Sequence, residues 1–219
     1  MHNRCAVVAV LAAAASTSVA LAGYDEVITF NEVPLGTLVD GLTIKNVGFT
    51  VTGQPDRGSA AIGSGPGLTP FVSAPMIEGP ALSTLGLHFA QPVDAFGFGF
   101  AVSVGGAVPN AVIVDVFDPD GAFLGTFTAD GKAGNRGEYF FSSGLLAVAG
   151  LGPIGSASIN FADYAPTGQG LSQGIPIVRF GLDNLGYDFS AVTVPLPTSG
   201  LLSAAGLLGL ASRRRRRLI

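Results

Sequence analysis

Between Tyr24 and Phe189 the apolar residues occur in short runs, separated by glycine, proline, asparagine and aspartate. No window of a dozen residues has the 3.6-residue period of an amphipathic helix, whereas several have the two-residue period of a strand. Nine strands are predicted: Glu26–Asn31, Gly48–Thr52, Ala81–Phe89, Ala95–Ser103, Ala111–Phe117, Phe123–Thr128, Glu138–Ser142, Ser156–Phe161 and Ile177–Tyr187. This spacing predicts an all-β fold, a two-sheet antiparallel β-sandwich of the jelly-roll kind.

Two of the predicted strand regions have informative detail. In Phe96-Gly97-Phe98-Gly99-Phe100 the period of two places three phenyl rings on one face and bare glycines on the other. We expect the rings to fill the core and the glycines to admit a neighbouring backbone or a bend. The turn residues Asp118-Pro119-Asp120-Gly121 lie between two alternating runs and predict a hairpin.

Two segments lack any periodicity and are predicted to be long loops. Residues 53–80 contain several glycines and prolines, and residues 162–176 have a similar composition. Because loops on a sandwich commonly carry binding function, these two are the first candidates for a ligand site.

The two ends of the chain differ from the body. Residues 1–22 have a basic start, an apolar stretch and Ala20-Leu21-Ala22 as a small-residue cleavage site, which predicts a signal peptide. Residues 23–190 then form a single ectodomain, and residues 191–219 form a C-terminal signal. The lone cysteine, Cys5, lies in the predicted leader, so the mature chain has no disulfide.

Charge is distributed unevenly between body and ends. Residues 23–197 carry five basic and all fifteen acidic residues, a net formal charge of about −10. Phosphate backbones repel so acidic a body, which argues against nucleic acid as a partner.

No catalytic constellation stands out, and we expect a protein that is not an enzyme. His88 is the only histidine after the leader; we expect it to be partly buried in a strand, and a Ser-His-Asp triad around it is the less favoured alternative. Asp115, Asp118 and Asp120 cluster at the hairpin and could ligate calcium, against a plain turn in which aspartates bond nearby amides. No other cofactor is expected.

The C-terminal segment reads as a membrane anchor. Residues 198–212 carry no charge and would reach about 22 Å as a helix, a length that the preceding interface residues extend. The five basic residues that follow are expected at the inner headgroups, with the body outside the cytoplasm. They are Arg213, Arg214, Arg215, Arg216 and Arg217.

This tail resembles the PEP-CTERM sorting signal of bacterial surface proteins. The resemblance lies in Val194, Pro195, Leu196 and Pro197, the apolar segment and the terminal arginine cluster, with Leu196 where the usual motif has glutamate. It implies a membrane helix and recognition by an exosortase-like sorting enzyme. Leu196-Pro197-Thr198-Ser199-Gly200 is also a near match to a sortase motif, which ranks second.

The body resembles the β-sandwich ectodomains found on such proteins, in stretches such as Pro92 to Phe100 and Phe180 to Phe189. Together these patterns predict an exported structural or adhesive protein of the cell surface or extracellular matrix, associated with exopolysaccharide. The alternative is a calcium-assisted carbohydrate-binding module that uses the two long loops.

Overall fold

The computed structural model describes residues 23–53, 59–65, 70–136, 139–162 and 178–190. These residues form ten strands and pair throughout in antiparallel fashion. The strands are β1 (Glu26–Ile28), β2 (Thr43–Ile44), β3 (Val47–Thr52), β4 (Ala61–Gly63), β5 (Met76–Pro80), β6 (Thr84–Val102), β7 (Val108–Phe117), β8 (Phe123–Arg136), β9 (Tyr139–Phe161) and β10 (Arg179–Phe189). The prediction of an all-β antiparallel fold is confirmed.

All ten strands belong to one continuous sheet, because three of them are long enough to pass through two sets of neighbours. The first part of β6 pairs with β3 and the last part of β9, whereas its second part pairs with β10 and the first part of β9. Strand β8 likewise pairs first with β7 and then with β9. We call the part built around β3 and β7 the β3 half, and the part built around β10 and β5 the β10 half.

The long strands change neighbours at irregularities in the backbone. The register of β6 against β9 shifts between His88 and Val93, next to Pro92, and β9 has positive φ at Gly150 and Gly152. The sequence predicted two separate strands in place of β6, with a break at residues 90–94, and two in place of β9, with a break at residues 143–155; both breaks are wrong. The residues form bulges, which disturb the ladder and bend a strand without ending it.

The apolar faces of the two halves meet in one core. Phe96, Phe98 and Phe100 are fully buried in it, as predicted for the alternating Phe-Gly run. The rings of Phe161, in the β3 half, and Phe180, in the β10 half, stack with centroids 4.1 Å apart. The sheet therefore folds over so that its two halves pack face to face.

The segment predicted as one long loop, residues 53–80, contains two strands. Strand β5 pairs with β10 and strand β4 pairs with β5, so both extend the β10 half at its edge. The prediction is wrong here because the pairing depends on a partner about a hundred residues away, which no local period reveals. The second predicted loop, residues 162–176, lies almost wholly outside the described residues.

Part of the outer face of the β10 half, around Gly97 and Gly99 of β6, is covered by its own chain. A Cβ atom built on Gly99 would collide with the backbone of Phe71, and one built on Gly97 would collide with the Tyr24 side chain. Val72, Met76 and Ala101 form a small second apolar cluster beneath this cover. The expectation that the glycines of the Phe-Gly run admit a neighbouring backbone is thus confirmed at Gly99.

A buried carboxylate anchors the segment that covers Gly99, residues 70–75, to β10. We call residues 70–75 the covering segment. Asp183 is almost fully buried and accepts hydrogen bonds from the Ser73 amide and hydroxyl at 2.8 and 2.9 Å. It also accepts the amide and side-chain N–H groups of Asn184 at 2.7 and 2.9 Å. Burial raises the pKa of Asp183 above its ordinary value, and these donors offset only part of that effect.

The two terminal segments, 1–22 and 191–219, lie outside the described residues. Within the ranges that the structure describes, there is no helix long and apolar enough to cross a membrane.

Candidate functional site

The outer face of the β3 half is uncovered and carries mainly small polar side chains. Strand alternation turns one set of residues inward and leaves the other set outward, and the pairing registers align the outward set in three rows across five strands. The rows are Gly48–His88–Ser156–Phe117–Phe123, Thr50–Gly86–Ser158–Asp115–Thr126 and Thr52–Thr84–Asn160–Ile113–Thr128. We call this surface the hydroxyl face.

The hydroxyl face extends about 19 Å across the strands, since neighbouring strands lie about 4.8 Å apart. An open depression of about 200 Å³ lies in its middle. Gly86 forms part of the floor, because it has no side chain while Thr84 and His88 flank it along the strand. Ser156 and Ser158 line the depression from β9.

Hydrogen bonds between strands hold several of these side chains in place. Thr50 Oγ1 and His88 Nε2 lie 3.2 Å apart, and the Thr84 hydroxyl donates to Asn160 Oδ1 at 2.7 Å. The Thr126 hydroxyl donates to Asp115 Oδ1 at 2.5 Å. Such pairing fixes the orientation of the polar groups before any ligand arrives, which lowers the entropic cost of binding.

An aromatic pair closes one end of the hydroxyl face. Phe117 and Phe123 are cross-strand neighbours whose ring centroids are 5.9 Å apart in an edge-to-face arrangement. Phe123 is 60% exposed, an unusual position for a large apolar ring. A ring that is free on one side can pack against the apolar C–H face of a ligand.

His88 is exposed on this face, which corrects the prediction of a partly buried strand histidine. The prediction failed because local sequence places His88 on a strand but does not say whether anything covers that side. Its side-chain partner is Thr50, and among the described residues no carboxylate hydrogen-bonds to its ring. Within the described ranges, therefore, no Ser-His-Asp triad is assembled around His88.

The three aspartates considered as calcium ligands have separate roles. Asp118 Oδ1 accepts the amide N–H groups of Asp120 and Ala122 at 2.9 and 2.7 Å, which is an aspartate turn of the plain kind. Asp115 lies on the hydroxyl face, bonded to Thr126. In the part of the chain that the structure describes, no three histidine, cysteine or acidic side chains lie together as a metal site would need. Asp115, Asp118 and Asp120 are therefore not brought together as a ligand set.

The proposed sorting residues, from Val194 to Pro197 and from Arg213 to Arg217, lie outside the described residues. The hydroxyl face itself was not predicted from the sequence. Its threonines and serines form no motif, although each occupies a polar position of an alternating strand. Only the registers of four strand pairs bring them into one surface.

Comparisons with known proteins do not identify the function of this chain. No family model and no curated protein matches the chain. Among solved structures, the chain is similar to the K2 cleaved adhesin domain of Lys-gingipain, with a TM-score of 0.47, 12% identity, and coverage of 75% of this chain and 98% of that one. It is also similar to a mutant of a family 29 carbohydrate-binding module, with a TM-score of 0.33, 8% identity, and coverage of 78% and 100%. The enzymatically active domain of tailspike protein 4 of bacteriophage CBA120 matches with a TM-score of 0.33 and 15% identity over 69% of this chain and 22% of that one.

Proposed function

We propose that this protein is an exported adhesive module that binds polysaccharide on its hydroxyl face without acting on it chemically. The observation that carries the proposal is the uncovered array of threonine, serine, asparagine and histidine side chains around the depression at Gly86. Sugars present hydroxyl groups that both donate and accept hydrogen bonds, and hydroxyl side chains on the protein do the same. The proposal needs no calcium.

The site is better suited to an extended chain than to a small molecule. It is open, it spans five strands, and its polar groups are spread along rows instead of converging on one enclosed point. Each hydrogen bond contributes only about 1 kcal/mol in net terms, so useful affinity requires several sugar units in contact at once. A repeating polysaccharide supplies those units.

We also propose that the ends of the chain place this module at the cell surface. The leader would export it, and the tail with Val194 to Pro197 and the terminal arginines would hold it in the membrane for an exosortase-like sorting enzyme. We take the body to be a two-sheet β-sandwich of the jelly-roll kind whose bent strands join the two sheets.

Binding of insoluble and soluble glycans to the full-length chain in mild detergent tests the adhesive role. In Gly86→Gln a longer side chain fills the depression and competes with the sugar, so we expect affinity to fall about tenfold or more. The matched control is Ala149→Gln, which adds the same side chain at an exposed position of β9 in the β10 half. Equal binding by both variants and the parent chain would remove the hydroxyl face from consideration.

The cellular location is tested separately. A reporter inserted after Ser190, ahead of the intact tail, should appear in the envelope when the cells are fractionated. A reporter that stays soluble in the cytoplasm contradicts the sorting proposal and leaves the binding proposal untouched.

A further inference from the structure

The charge of the hydroxyl face carries an inference about which polysaccharides it accepts. None of the residues in its three rows is lysine or arginine, and Asp115 contributes a carboxylate to the central row. Asp118 and Asp120 lie just beyond the end of β7, in the turn that follows Phe117. Among the described residues, a glycan lying along the rows therefore meets negative charge and no fixed positive charge.

The basic residues whose side chains the structure describes are placed elsewhere. Lys45 forms an ion pair with Glu26 at 2.9 Å and donates to the Val27 carbonyl, and Arg179 pairs with Glu78 at 2.6 Å. Lys132 lies on the part of β8 that pairs with β9 in the β10 half. None of these three faces the depression, so they supply no counter-charge there.

This arrangement penalises an anionic sugar at close range. Two like charges at contact distance repel, and the repulsion is several times stronger at the lower effective dielectric of a protein surface than in bulk water. The carboxylate of Asp115 is half-buried and held by Thr126, so it has little freedom to turn away. A uronate or sulfate group in the central row would face it directly.

The apolar end of the face favours a sugar with an unsubstituted C–H surface. The exposed ring of Phe123, supported edge-to-face by Phe117, can pack against one pyranose unit at the end of the first row. From there the chain can continue past Ser156 towards His88. The polar and apolar contacts thus lie along one line.

We infer that the hydroxyl face selects uncharged or amino-bearing polysaccharides and discriminates against uronates and sulfated glycans. The inference rests on the proposed function, because it concerns the ligand class of the same surface. Asp115 is the residue that sets the charge preference, and Phe123 provides the stacking surface.

The test compares oligosaccharides of equal length and different charge on the full-length chain in mild detergent. We expect cello-oligosaccharides and chitosan oligosaccharides to bind at least about tenfold more tightly than oligouronates, with a difference that shrinks as salt is added. Asp115→Asn keeps an acceptor for Thr126 and removes the charge, so it should strengthen oligouronate binding several-fold and reduce the ratio of cello-oligosaccharide to oligouronate affinity. Glu32→Gln removes one negative charge from an exposed position outside the three rows and is the matched control.

A second variant pair tests the stacking surface. Phe123→Ala should weaken binding of every accepted glycan about tenfold, whereas Leu35→Ala, which truncates another exposed apolar residue outside the face, should not.

The outcomes separate the inference from the proposed function. Equal affinity for oligouronates and cello-oligosaccharides, or no response to Asp115→Asn, overturns the charge selection while polysaccharide binding stands. Absence of binding to glycans of every charge overturns both.

Discussion

Strand β6 contributes residues to two outer surfaces. Alternate side chains point outward in both, but one surface is exposed to solvent and the other is covered by the chain. Its first part turns Thr84, Gly86 and His88 outward onto the open hydroxyl face. Its second part turns Gly97 and Gly99 outward beneath Tyr24 and the backbone of Phe71. One strand therefore forms part of a solvent-facing surface at one end and lies inside the fold on both sides at the other.

The comparison shows that glycine has two different uses in this strand. At Gly99 a side chain would collide with a backbone carbonyl, which cannot move without displacing the covering segment. At Gly86 an added Cβ would meet the Thr50 hydroxyl, the end of a side chain that can rotate. Gly99 is thus required by packing, whereas Gly86 shapes a surface.

The largest expected effect comes from exchanging glycine for valine at these two positions. Gly99→Val should lower the free energy of unfolding by about 3 kcal/mol, the upper range for overpacking a well-filled site. Gly86→Val should change it by no more than about 1 kcal/mol, since only Thr50 must adjust. Chemical denaturation of both variants measures the difference, and equal losses would mean that the two faces do not differ in packing.

A smaller loss of stability is expected when the covering segment is released from Asp183. Asp183→Ala removes the acceptor for the Ser73 amide and hydroxyl and leaves those donors unpaired near the β10 half. We expect a loss of about 2 kcal/mol, together with faster proteolysis or amide exchange around residues 70–75. Glycan binding on the hydroxyl face should stay as in the parent chain, and a parallel loss of binding would show that the two outer faces are coupled.

The smallest expected effect is on the pH dependence of stability. It arises from Asp183, which lies in the β10 half. Because burial raises the pKa of Asp183, the folded chain holds this proton more tightly than the unfolded chain does. The contribution of Asp183 to stability is therefore fully present below the ordinary carboxyl pKa and is lost as pH rises through the raised value.

Thermal unfolding over the acidic range measures this pH dependence against Asp183→Asn. The variant cannot titrate and should lack that component of the slope. Identical pH profiles for the parent chain and Asp183→Asn would contradict the assignment to Asp183.

Much of the fold could be predicted because strand alternation is a local property. The Phe-Gly run, the alternating valines of β7 and the turn from Asp118 to Gly121 lie where the pattern placed them. The short strands β4 and β5 could not be predicted, since their identity depends on a distant partner in β10. Each of the long strands β6 and β9 was predicted as two separate strands. The sequence does not show whether a proline or glycine ends a strand or forms a bulge within it, because that depends on the neighbouring strands.

Less of the candidate site than of the fold could be predicted from the sequence. His88 was noted from the sequence as the only histidine after the leader. Its exposure and its contact with Thr50 depend on which face of β6 is left uncovered. Asp115 was considered as a calcium ligand from the sequence, and the structure places it beside the Thr126 hydroxyl. Both residues acquire their surroundings from strands that are remote in sequence.

By itself the sequence determined the chemical character of each face of each strand, because alternating side chains point to opposite sides whatever the neighbours are. It therefore specified an all-β body with a phenylalanine-rich interior and small outward residues. Only the tertiary structure decided which outward faces are covered and which stay open, because the register between strands and the path of the covering segment arise from contacts between residues that are far apart in the chain.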